Sequence, residues 1–287
     1  MDWPKARAIL LVAFLLVNGV LAYAIWGPDR SLPGLGRSSH AQEVEQVRTA
    51  LAERGIILPA SVTVPETPPP MRFLRVEFRP TPPSVLPPNE SSSRDLEPAR
   101  FLPDPDSGAL IYYAWEQGAG SRDIRPENRS QVQQVAEEYL RRRGWLPANA
   151  VVATYRHDPD RNVAMVEFVP SFDGLPVFSG YVRVEVSSRG VETVRFLWVE
   201  PTRYTDAAPK AVRPATEALL RLAGRLQDSV GEPRVIRDIR LGYYANRSLT
   251  GAQPEAVIGW DTVPVWRIEL ESGEVYYVNG FNGEWES

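Results

Sequence analysis

Residues Ala8 to Trp26 read AILLVAFLLVNGVLAYAIW, nineteen in a row without a charged side chain. In a helix at about 1.5 Å per residue they reach about 28 Å. That is close to the roughly 30 Å hydrocarbon core of a bilayer. No later stretch is as long or as apolar, so the expectation is a single membrane-spanning helix that tethers the rest of the chain. Lys5, Arg7 and the amino terminus precede it against Asp2, while Asp29 and Arg30 follow it and cancel. The excess of positive charge on the short leading side favours a cytoplasmic N-terminus. The competing reading is a cleaved signal peptide, for which Ala22-Tyr23-Ala24 has the small-x-small form. The length of the apolar run and the aromatic residues Trp3, Tyr23 and Trp26 favour a retained anchor.

One face of this stretch carries Leu11, Leu15, Asn18, Ala22 and Ile25 at spacings of three and four, with Gly19 beside the amide. Asn18 has two readings. Its amide bonds a partner helix, worth about 0.6–2 kcal/mol in a bilayer, or it bonds its own backbone. A partner contact through Leu11, Leu15, Asn18, Gly19, Ala22 and Ile25 is the candidate site, and a homodimer is one form of it.

Composition narrows the rest. The 287 residues contain no cysteine, which excludes disulfides, thiolate metal sites and a cysteine nucleophile. The net charge is −4, and no basic stripe appears, so nucleic acid is not an expected partner. Both histidines, His40 and His157, stand far apart without metal-ligand spacing. There is no phosphate-binding glycine loop. Asp104-Pro105-Asp106-Ser107-Gly108 and Asp158-Pro159-Asp160-Arg161-Asn162 lack the glycine and terminal glutamate of a calcium loop and read as turns. Neither a cofactor nor a metal is expected. Glu269, Glu271 and Glu274 crowd one hairpin, and Glu284 and Glu286 lie at the end. A carboxylate pair is what a glycosidase needs, but solvated strand faces and turns are the commoner origin of such clusters. The aromatic residues of the later strands, from Tyr112, Tyr113 and Trp115 to Phe281 and Trp285, read mainly as core, with a partner surface as the alternative.

Beyond the anchor, apolar periodicity alternates between helix and strand. A helix is expected at His40–Arg54 with Gly55 as its cap, then a strand at Met71–Arg79 and another at Ala109–Glu116. Between them, residues 80–108 form a proline-rich insert, read as packed over the surface rather than as a binding loop. A second helix opens at Pro126 and ends near Arg143, with hairpins at 151–170 and 181–200. A third opens at Pro214, with strands at Arg234–Tyr244, Pro264–Leu270 and Glu274–Asn279. The expected class is α+β: one transmembrane helix, then repeats of a helix with antiparallel sheet. The expected divisions are 1–30 (tail and transmembrane helix), 31–39 (linker), 40–204 (first extracytoplasmic domain, sub-repeats 40–118 and 126–204) and 209–287 (second domain).

Four stretches together resemble the YycI family of Gram-positive bacteria. They are Met1-Asp2-Trp3 with Lys5 before one hydrophobic segment, Phe172-x-Gly174-Leu175-Pro176-Val177-Phe178 before a hairpin, Ile239-Arg240-Leu241-Gly242-Tyr243-Tyr244, and PVWRIELESGEVYYVNGFNGEW from Pro264 to Trp285. The proline-rich insert departs from the family pattern. The resemblance implies a single-pass type II cell-membrane protein with YycH-like extracytoplasmic domains. It also implies a non-enzymatic role: with a YycH-like membrane partner, the protein restrains the sensor histidine kinase WalK (YycG), whose two-component system controls cell-wall metabolism. No catalytic residue comes with it. Two alternatives remain, a cell-wall hydrolase using Glu269 or Glu271 and a secreted inhibitor-like binding module.

Overall fold

A computed structural model describes residues 14, 39–79, 101–104, 107–114, 124–226, 234–245 and 259–286. The chain divides into two compact units, Met1–Glu43 and Val44–Ser287. Nearly all the described residues belong to the second.

Among the described residues, three helices and twelve strands follow in order: α1 (His40–Ala52), β1 (Ile56–Ile57), β2 (Leu74–Arg79), β3 (Leu102–Pro103), β4 (Leu110–Tyr113), α2 (Arg129–Arg142), β5 (Ala150–Asp158), β6 (Val163–Phe172), β7 (Leu175–Pro176), β8 (Tyr181–Ser187), β9 (Gly190–Tyr204), α3 (Ala215–Arg225), β10 (Arg234–Tyr244), β11 (Gly259–Leu270) and β12 (Val275–Asn279). Local chemistry sets the helix ends. Ser39 and Gln42 bond each other's backbone N–H groups, a capping box that starts α1. The second helix begins at Arg129 rather than Pro126 because the Asn128 side chain takes the Gln131 N–H. It ends in a Schellman motif: Trp145 N donates to Leu140 O, Gly144 N donates to Arg141 O, and Gly144 sits at φ +68°.

All twelve strands form one mixed sheet. Its main path runs β1-β10-β11-β2-β9-β8-β6-β5, with β12 on β11, β4 on β9, β3 on β4 and β7 on β6. The pairing of β1 with β10 is parallel and the others are antiparallel. This corrects the expected class. Among the described residues the structure is mostly a mixed sheet with three helices, and the strands join one sheet instead of forming separate helix-plus-antiparallel-sheet repeats. The reason lies in the strands that follow α1. At two, six, two and four residues they bury too little surface to stand as a sheet of their own. They pair instead with the edges of the later strands: β1 with β10, β4 with β9, and β2 between β9 and β11. No helix among the described residues is long and apolar enough to cross a membrane. Residues 8–26, where the spanning helix was expected, lie outside the described residues except for Phe14. Most of the proline-rich insert does too.

The helices cover outward faces of the sheet. Val132, Ala136 and Leu140 of α2 pack with Trp145 on Ala164, Val166 and Phe168 of β6 and Val182, Val184 and Val186 of β8. On the other half, Val47 and Leu51 of α1 and Leu219 and Leu222 of α3 pack on Ile236, Trp266, Ile268 and Leu270. The alternate residues of the same strands point the other way, and the two sheet halves meet through them. Ala153, Val169, Phe178 and Val265 form the apolar part of that inner layer.

Candidate functional site

The inner layer also holds charge. Along β11, Val265, Arg267 and Glu269 face inward while Trp266, Ile268 and Leu270 face the helices, the period-two alternation of a strand. Arg267 and Glu269 are both 2 % exposed. A buried ion of this kind persists only when paired and hydrogen-bonded. Glu269 Oε2 accepts from Arg267 Nη1 at 2.7 Å and from Thr154 Oγ1 at 3.1 Å, and Oε1 accepts from Arg156 Nε at 2.9 Å. Arg267 Nη2 donates to Thr154 Oγ1 at 3.0 Å and lies 3.9 Å from Glu167 Oε1. Glu167 in turn accepts from Arg183 of the neighbouring strand. So β5, β6, β8 and β11 meet at one continuous ionic network.

The arrangement also resolves an unfavourable register. Arg267 stands opposite Arg240, and Glu269 opposite Asp238. Like charges directly across a sheet repel. The attractive pairs therefore run along each strand, Arg240 with Asp238 and Arg267 with Glu269. Others run across the layer to β5 and β6.

Protonation follows from this geometry. Burial alone would raise the Glu269 carboxyl, but Arg267 and then Arg156 outweigh it and hold the group below the usual carboxylate range. Burial opposes the Arg267 charge, yet Tyr277, Glu269 and Glu167 overcome that and lift it above the ordinary arginine value. Burial pushes the Tyr277 phenol up to about 12. Its ring stacks on Tyr244 at 3.9 Å between centroids. At neutral pH this layer therefore holds an ionised Glu269, an ionised Arg267 and a neutral Tyr277 phenol.

Two stretches that are distant in sequence also meet beside this layer. Asp173 and Gly174, with φ of 49° and 80°, make a tight turn that returns Leu175–Pro176 onto β6. Val177 then bridges Tyr243, and Phe178 N donates to Tyr243 O at 2.7 Å. A Cβ on Gly242 would lie 2.5 Å from both the Phe178 ring and Pro176 O. Gly242 is thus the residue that lets the 172–178 stretch dock on β10.

The expected site residues Leu11, Leu15, Asn18, Gly19, Ala22 and Ile25 lie outside the described residues. Of the flagged carboxylates, Glu269 is sealed in the network whereas Glu271 is exposed at the hairpin, so the two do not face a common cleft. Asp158 closes its turn by accepting from Asp160 N and Arg161 N, and Ser107 donates to Asp104. Among the described residues no group of three or more His, Cys, Asp or Glu side chains is placed to hold a metal ion. Tyr112, Tyr243, Trp260 and Trp266 are core. The sequence pattern does not single out Thr154, Arg156, Glu167, Arg183 or Arg267. A signal was present in β6: Val163-Ala164-Met165-Val166-Glu167-Phe168-Val169 is apolar on both faces, so its lone charge has to be buried.

No family model matches the sequence, and no curated protein does. Among solved structures, an uncharacterized protein from Eubacterium rectale matches with a TM-score of 0.47 and 8% sequence identity, covering 85% of this chain and 98% of that one. These comparisons leave the resemblance to the YycI family resting on the residues quoted above.

Proposed function

We propose that this chain is a non-enzymatic regulator that acts at the cell membrane by binding other proteins. In this reading it restrains a sensor histidine kinase of the WalK (YycG) type together with a YycH-like partner. One observation carries it. Two of the stretches behind the family resemblance, 172–178 and 239–244, pack on each other through Gly242 and the Val177–Tyr243 bridge. They act as one folded unit rather than as scattered similarity. A regulator of this kind works by differential affinity: it biases the kinase only as far as it binds one signalling state better than another.

The test is co-purification from membranes of the full chain and of a chain lacking residues 1–30, with kinase phosphorylation read in parallel. Recovery of the kinase and a YycH-like protein with the full chain, and raised phosphorylation in its absence, are expected. Unchanged kinase phosphorylation on deleting the protein would sink the reading. Peptidoglycan cleavage that is lost on Glu271→Gln, the exposed one of the two hairpin carboxylates, would replace it with the hydrolase.

A further inference from the structure

At the end of α2, three rings surround one positive charge and a fourth ring backs them. The Arg143 guanidinium carbon lies 5.0 Å from the centre of the Tyr112 ring, 4.9 Å from that of Tyr139 and 5.0 Å from that of Trp145. The rings also brace one another. Trp145 meets Tyr112 edge-on at 5.0 Å and Tyr139 edge-on at 6.4 Å, and Phe101 lies 5.7 Å from Tyr112 and 5.0 Å from Trp145. A cation within about 6 Å of a ring centre is attracted by the negative face of the ring. Here one cation meets that condition at three rings. Tyr112 and Trp145 are buried, and Phe101, Tyr139 and Arg143 are half-buried, so water screens the attraction only in part. Burial also pushes the Tyr139 phenol up and Arg143 counters only part of that rise, which keeps the ring neutral.

Two of the three rings come from the neighbourhood of Arg143 itself. Tyr139 stands one helical turn before it. Trp145 follows the left-handed turn at Gly144, which folds the chain back until the Trp145 N–H reaches Leu140 O. The third ring, Tyr112, comes from β4, and Phe101 precedes β3. From the sheet side, this two-stranded ribbon is held by four residue pairs between β4 and β9 and by the Arg195–Asp104 ion pair. From the helix side it is held where Phe101 and Tyr112 meet Trp145 and Arg143. We propose that the rings form a cation-binding aromatic cage, that its resident ligand is the chain's own Arg143, and that their pairing is the clasp that holds β3 and β4 against α2. The ligand class is a guanidinium, and the cage emptied of Arg143 takes a free guanidinium ion from solution. The clasp works in the same way whatever partner the chain regulates.

Amide exchange in the full-length protein tests this, read by mass spectrometry over residues 101–114 and, for reference, over β10 and β11. Arg143→Ala is expected to speed exchange in 101–114 about tenfold and to leave the reference strands unchanged. A guanidinium salt, kept far below denaturing concentration, is expected to restore the parent rate. Urea, its neutral isostere, is expected not to restore it at the same concentration and ionic strength. Unchanged exchange in 101–114 would overturn the clasp, and so would equal speeding of β10 and β11, which reports global destabilisation. Restoration by both solutes, or by neither, would overturn the cage, because charge would then not be what the rings recognise. Should Arg143→Ala fail to fold, Arg143→Lys keeps a cation whereas Arg143→Gln has a neutral side chain. Exchange in 101–114 is then expected to be about threefold slower in the lysine variant than in the glutamine variant, and equal rates or the reverse order would overturn the cage.

Discussion

Gly242 cannot carry a side chain without moving Phe178 or the Pro176 carbonyl. Gly242→Ala is therefore expected to cost about 1–3 kcal/mol, read as a lowered urea midpoint. A variant as stable as the parent would mean that the 172–178 stretch shifts freely and is not fixed on β10. Glu269 makes a different prediction. Its folded carboxyl stands below the usual range, so the unfolded chain takes up that proton at a higher pH than the folded one does. The stabilisation is complete above the ordinary value of about 4.3 and is lost as the pH falls through it toward the folded value. Glu269→Gln should cost about 3–5 kcal/mol at pH 7 by leaving Arg267 short of a partner. It should also flatten the fall in melting temperature between pH 6 and pH 3. If the pH slope is the same in both proteins, Glu269 is not the group responsible.

At the scale of elements, the caps and the alternation of strands explain what could be read in advance. Leu74, Val76 and Phe78 alternating with Arg75, Glu77 and Arg79 mark β2, and Val182, Val184 and Val186 mark β8. What single strands do not reveal is their neighbour. Nothing in the hexapeptide of β2 says that it pairs with β9 on one edge and with β11 on the other, because that choice depends on which distant edges are left open. The start of β11 at Gly259 rather than Pro264 has the same origin: residues 259–262 are strand because β2 is there to pair with them. The ionic layer was hidden for a related reason. Arg267 and Glu269 alternate with apolar residues as solvent-facing charges do, and only the second half of the sheet above them makes that face an interior. For the helices, Asn128→Ala should cost about 1 kcal/mol, seen as a lower melting temperature with the sheet signal intact. Loss of the sheet at the same time, under conditions where the parent is fully folded, would show α2 to be essential to it.

At the scale of the whole molecule, β2 is the stitch between the helix-covered halves. It binds Tyr204 through Glu200 and Val199–Trp198 of β9 on one side and Gly259–Thr262 of β11 on the other. Thr262 Oγ1, fully buried, also donates to Leu74 O at 2.9 Å. A fragment of residues 209–287 lacks both β1 and β2 and leaves the edges of β10 and β11 bare. It is expected to aggregate on size-exclusion chromatography, and mixing with residues 40–79 is expected to recover soluble material. A well-folded monomer of 209–287 alone would show that the stitch is dispensable.

The position of β2 has a consequence for how the chain is made. Its strand leaves the ribosome long before one of its two neighbours, which is drawn from residues 259–262. Until those residues emerge, β2 is a nascent strand with an open edge, and β9 waits beside it half satisfied. Contacts this far apart in sequence slow folding and prolong the exposure of sticky intermediates. Translation speed and chaperone supply should therefore govern the yield of this protein more than the stability of its finished fold.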